Sequence, residues 1–129
     1  MNPKNCIPKD KSGPLNIAAL DMLSDAQLSG IAMNILEWCQ DYNWPVAKEV
    51  VAFVIDRQTP FLPSILTALN EDDSIWQYWI VSEILPHFTP ENMESLIPAL
   101  SAIEKRPVKT EDDALLREAT KILSEHFHI

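Results

Sequence analysis

Glycine is almost missing from this chain: only Gly13 and Gly30 occur in 129 residues. No Asn-Gly or Asp-Gly pair is present, so the strongest signals for tight hairpins are absent. Glycine-rich phosphate loops are excluded for the same reason. Cysteine is also scarce. Cys6 and Cys39 cannot form a disulfide framework, and a reducing compartment is the plain expectation. Without paired cysteines or a His-Glu-x-x-His element, no metal site and no cofactor are expected. Positive charge is in short supply: 10 Lys and Arg stand against 19 Asp and Glu, a formal net charge of −9. Phosphate neutralisation needs clustered cations, so nucleic acid and anionic membrane surfaces are not expected partners. No apolar run approaches the roughly 20 residues of a membrane span. The opening "MNPKNCIPKDKSG" has no apolar signal-peptide core, and a cytoplasmic protein is expected.

What the chain does have is helix signals. Ten prolines occur, and several fall where a helix would begin. Ser24 with Gln27 reads as a capping box, followed by an apolar stripe through Leu28, Ile31, Ile35 and Cys39. Asp73 and Thr110 precede further helices, and Thr59-Pro60 and Thr89-Pro90 each read as a cap followed by a first-turn proline. The pattern predicts seven helices over about 14–22, 24–40, 45–57, 59–70, 74–88, 89–105 and 110–127. Pro14 should open the first, and Pro98 should kink the sixth from inside. In the last helix Leu115, Leu116, Ala119, Ile122 and Leu123 are expected to face one way. One all-α domain over 1–129 is expected, large enough to bury roughly two-thirds of its unfolded surface.

The chain also repeats itself. "MNILEWCQDYNW" (33–44), "LPSILTALNEDDSIW" (62–76) and "IPALSAIEKRPVKTEDDALL" (97–116) each give an apolar helix, an acidic turn and a second helix. Helix pairs cannot bury both faces alone, but stacked pairs share a continuous core. The pattern resembles the HEAT-repeat family. That resemblance implies a short right-handed α-solenoid of about three helix pairs, near 24–58, 59–88 and 89–129, capped by the segment 1–23. A second resemblance rests on "IPKDK" (7–11), "DYNWPVAK" (41–48) and "DDSIWQYWI" (72–80). Together these are similar to a small, uncharacterised bacterial family of domains of unknown function. It implies a fold and no activity.

The candidate functional residues follow from the stacked picture. Asp41 and Asp73 each stand three residues before a tryptophan, Trp44 and Trp76, and are expected to cap second helices. With Asp72, Asp112 and Asp113 the acidic turns would form a ridge for a basic partner, or serve only as caps. Trp44, Trp76 and Trp79 are either core or a recognition patch. Second helices would present Lys48, Glu49, Gln77, Glu83, Arg117 and Glu118 to solvent, with Lys48 and Glu83 as a candidate ion pair. Lys9 and Lys11, with Lys4, would make the N-terminal segment a basic strap.

No nucleophile elbow or activated cysteine is present. The expected function is a non-catalytic protein-interaction module with a protein partner of basic character, acting as a monomer or weak homodimer. The alternatives are a small hydrolase-like enzyme pairing a carboxylate with His87, and a HEAT-like DNA-binding glycosylase, which the net charge disfavours.

Overall fold

The computed structural model describes residues 2–129, and among the described residues it contains helices and no strand. The α-helices are α1 (Ile17–Asp21), α2 (Asp25–Leu36), α3 (Pro45–Asp56), α4 (Leu62–Leu69), α5 (Ser74–Trp79), α6 (Pro90–Glu94), α7 (Ile97–Lys105) and α8 (Glu111–Phe127). Short 3-10 turns cover Pro3–Cys6, Glu37–Cys39, Thr59–Phe61 and Leu85–His87, and a π-helical turn covers Ile80–Ile84.

Side-chain caps set most of the helix starts. Ser24 Oγ accepts from the Gln27 N–H while Gln27 Oε1 accepts from the Ser24 N–H, a complete capping box. Asp73, Thr89 and Thr110 each accept from the N–H three residues on, at the starts of α5, α6 and α8. Three starts differ from expectation. α1 starts at Ile17, capped by Asn16, and Pro14 lies outside it. Thr59 opens a 3-10 turn and caps nothing, and α4 begins three residues later with Pro63 in its first turn. Asp41 does not cap α3; its carboxylate accepts from Asn43 N–H at 2.9 Å and shapes the preceding turn.

Two prolines redraw the second half of the chain. Pro98 does not kink a long helix. The segment 89–105 splits into α6 and α7, and Pro98 takes the second position of α7, where its missing N–H leaves no bond unmade. Pro86 acts at a distance of four residues. It cannot donate to Ser82 O, and its ring crowds that carbonyl. The helix widens before it: Leu85 N–H reaches Ile80 O, an i to i−5 bond, and the π turn Ile80–Ile84 replaces the expected continuous helix.

The helices pack in two rows. In one, α4 lies between α2 and α7; in the other, α3 meets the π turn, and α5 with the π turn lies along α8. One continuous core joins the rows, with Phe61, Ile65, Leu69, Ile80, Ile84 and Leu96 fully buried. Each such side chain contributes about 1.5–3 kcal/mol.

The N-terminal segment is held against α3. Lys11 O accepts from Val46 N–H at 2.9 Å, and Glu49 Oε2 accepts from Leu15 N–H at 3.2 Å. Cys6, Pro8 and Leu15 are buried beneath it, so this strap closes one end of the core. The chain also pins successive loops together. Arg57 donates to Asp25 at 2.8 Å and to Leu23 O, and Gln58 bonds His87 O, Thr89 N–H and Asn92.

Candidate docking groove

An exposed apolar surface runs between α8 and the wall formed by α5 and its π turn. α8 is amphipathic twice over. Leu116, Thr120 and Leu123 turn into the core. A second stripe, Leu115, Ala119 and Ile122, lies beside it, and Leu115 and Ile122 are 52% and 58% exposed. The expectation that all five apolar residues of α8 share one buried face is therefore corrected. Thr120 enters the core because its hydroxyl returns to Leu116 O at 2.7 Å, which satisfies it locally.

Facing this second stripe are Ile75, Tyr78, Val81, Ser82 and Pro86. Two adjoining clefts, of about 290 Å³ and 380 Å³, share Tyr78 and Leu115 and form one groove. Glu118 and His126 stand on its α8 side, and Asp112 and Trp79 at its far end. The walls carry orphaned polar atoms: Ser82 Oγ and Trp79 Nε1 are buried with no hydrogen-bond partner. Trp79 belongs to an aromatic chain, with Tyr78 at 5.1 Å and Tyr42 at 5.3 Å between ring centroids.

The structure separates the residues that the sequence grouped as candidates. Trp79 and Asp112 line the groove. Trp76 is buried, and its indole N–H approaches the Cys39 sulfur without reaching hydrogen-bond geometry. Burial pushes the Cys39 thiol up to about 12. Gln77 is not a solvent-side reader. It is fully buried and donates to Ala68 O and Glu71 O at 2.9 and 2.6 Å.

Lys48 and Glu83 form no ion pair; Lys48 Nζ instead lies 5.0 Å over the Tyr42 ring. Trp44 is half-buried and packs edge-on against Trp38 at 6.0 Å. Lys9 and Lys11 are exposed, and the strap is held through its backbone. His87 is exposed and lines none of the clefts described here; its carbonyl is taken by Gln58.

The acidic turns are spoken for in part. Asp73 caps α5. Asp113 accepts from the Ser74 hydroxyl and from Lys109 N–H. The Ser74 bond, then the Lys109 N–H, hold its carboxyl below the usual value. Asp72 lines a small polar cleft of about 100 Å³ beside Arg106 and Arg117.

The sequence pattern names none of Ile75, Ser82, Leu115 and Ile122 as site residues. The signal for Leu115 and Ile122 lies in α8, whose apolar residues divide into two adjoining stripes.

An all-α domain with an apolar helix-walled groove is thus the class that fold and site define. The chain belongs to the DUF5071 family, a domain of unknown function, whose model matches residues 6–123. A search of curated proteins finds no match.

Proposed function

We propose that this protein is a non-catalytic interaction module that docks another protein in the groove between α5 and α8. The carrying observation is the exposure of Ile75, Leu115 and Ile122, at 47%, 52% and 58%, side by side on one surface. Contiguous apolar surface of this kind, rimmed by charge, favours a protein contact. The aromatic wall of Tyr78 and Trp79 supports it, since these side chains dominate binding energy where they occur. The two helix rows support a short HEAT-like solenoid whose second row presents the surface. In this reading the protein acts in the cytoplasm, and its partner has basic character.

The test is site-specific photo-crosslinking in the source cell. A photoreactive residue at 115 or 122 should give a discrete protein adduct that the same residue at exposed position 18 does not. Adducts at 18 alone, or none at 115 and 122, would count against the groove.

A further inference from the structure

We propose that the groove takes one amphipathic helix of the partner, apolar on the side that enters and basic along its flank; this rests on the docking role above. The groove's own geometry selects a helix. Both walls are helices, and among the described residues there is no strand edge to extend. The α8 side runs from Asp112 to His126, which at 1.5 Å per residue is about 21 Å. A partner helix of about four turns has the same length. The α8 residues facing the groove recur at spacings of three and four, the period that meets another helix along its axis. Helix-in-groove recognition reads such a surface through anchors at i, i+3 or i+4, and i+7.

Charge selects the flank. Glu111, Glu118 and Glu125 are spaced by seven residues, so they form a line along the outer shoulder of α8 beside the apolar stripe. All three are exposed, and none takes part in the one ion pair found among the described residues. Lys121 offsets one of these charges. Arg117 is turned away, donating to the Arg106 carbonyl. Asp112 adds a further carboxylate at the groove's end. An apolar floor with a negative shoulder complements a helix carrying Lys or Arg beside its apolar face. The same row opposes a second copy of this chain, because face-to-face pairing would set like charges together on a protein of net charge −9.

The test uses a displayed library of 16-residue helix-forming peptides selected on the full chain. The winners are remade and measured by fluorescence anisotropy against three proteins. These are the native chain, the L115E/I122E variant, and the E111Q/E118Q/E125Q variant, each first checked for native helicity by circular dichroism. The expected winners are helical, carry apolar residues at i, i+3 or i+4 and i+7, and have an excess of Lys and Arg. Their affinity should fall by about tenfold or more in L115E/I122E, a difference of about 1.4 kcal/mol. It should weaken in the glutamine variant, and weaken as salt rises.

Winners that need Leu115 and Ile122 but are extended, or lack a basic excess, would overturn the basic helix and leave the docking role standing. Self-association of the native chain that L115E/I122E abolishes would overturn the docking of another protein as well and assign the groove to a second copy. A library with no winner dependent on Leu115 and Ile122 would sink both.

Discussion

Arg106 Nη2 donates to Gln77 Oε1 across 2.7 Å, joining the loop before α8 to the interior of α5. The same guanidinium reaches Glu71 O at 3.2 Å, and Gln77 reaches Glu71 O and Ala68 O from the other side. Gln77 is fully buried, so each of its bonds replaces water that it cannot otherwise reach. Gln77→Leu removes one donor from each of two carbonyls, which keep the Glu71 N–H and Arg106 Nη1 respectively, and leaves part of the guanidinium without its partner. The expected loss is about 2–3 kcal/mol, read from the shift of the urea midpoint. Arg106→Ala should cost less alone, and the double variant should show coupling of about 1 kcal/mol or more. Strict additivity would mean that the two side chains do not act together.

The two glycines should respond to alanine with opposite signs. Gly13 has φ +71°, and a Cβ there would lie 2.9 Å from Glu49 Oε2 and 3.2 Å from Val46 Cγ2. Gly13→Ala combines a left-handed backbone with that crowding and should destabilise by about 1–3 kcal/mol. Gly30 sits inside α2 with nothing within 4 Å of its added methyl. Gly30→Ala should stabilise by about 0.5–1 kcal/mol. Thermal melts of both variants decide it; shifts in the same direction would contradict the account.

Helix existence was legible because capping chemistry is local: Ser24, Asp73, Thr89 and Thr110 sit within three residues of the groups they satisfy. What a helix faces is not local. Neighbouring residues on a helix point about 100° apart, so Leu115 and Leu116 fall on adjoining faces, and only the position of α5 and α7 decides which is buried. The burial of Gln77 is hidden from the sequence for the same reason. A glutamine in an apolar helix looks like a solvent contact until the carbonyls of Ala68 and Glu71 are placed beside it. Pro86 was visible in the sequence, but the widening it forces belongs to the packing of Ile80 and Ile84 in the core.

Leu115 and Leu116 therefore make a sharp comparison. Leu116 is 2% exposed and Leu115 is 52% exposed. Leu116→Ala should cost about 2–5 kcal/mol through lost burial and the cavity it leaves. Leu115→Ala should stay within about 0.5 kcal/mol of the native chain. Urea unfolding of each variant measures this. A large loss at Leu115 would mean that the second stripe of α8 is structural and not free for a partner.

Cys39 predicts a one-sided dependence on pH. Its thiol ionises near 9.0 when unfolded and is pushed up to about 12 by burial in the native protein. Below 9.0 both states hold the proton and the thiol adds no slope. Above it the unfolded chain loses the proton first, so stability falls as pH climbs towards the native value. The slope contributed there is at most about 1.4 kcal/mol per pH unit. Cys39→Ala should lose this component while showing a lower stability throughout from the lost packing. A thiol reagent should label Cys39 slowly at pH 8 and rapidly once the chain is unfolded. Fast labelling of the native protein would contradict the burial.

Ser82 connects the π turn to the groove. Its hydroxyl is buried without a partner on the groove wall, in the residue whose carbonyl Pro86 cannot serve. An unpaired buried hydroxyl is a cost to the free protein, so Ser82→Ala should leave stability unchanged or raise it by up to about 1 kcal/mol. The hydroxyl is closed to solvent in the free protein, so a docked side chain bonds it only by displacing its cover, and the same change removes that bond. Peptides that bind through Leu115 and Ile122 should then lose about threefold to tenfold in affinity, the value of one ordinary hydrogen bond. Stability and binding would move in opposite directions, which a residue serving only the fold cannot produce. A matching loss in both would place Ser82 among the structural residues of the π turn.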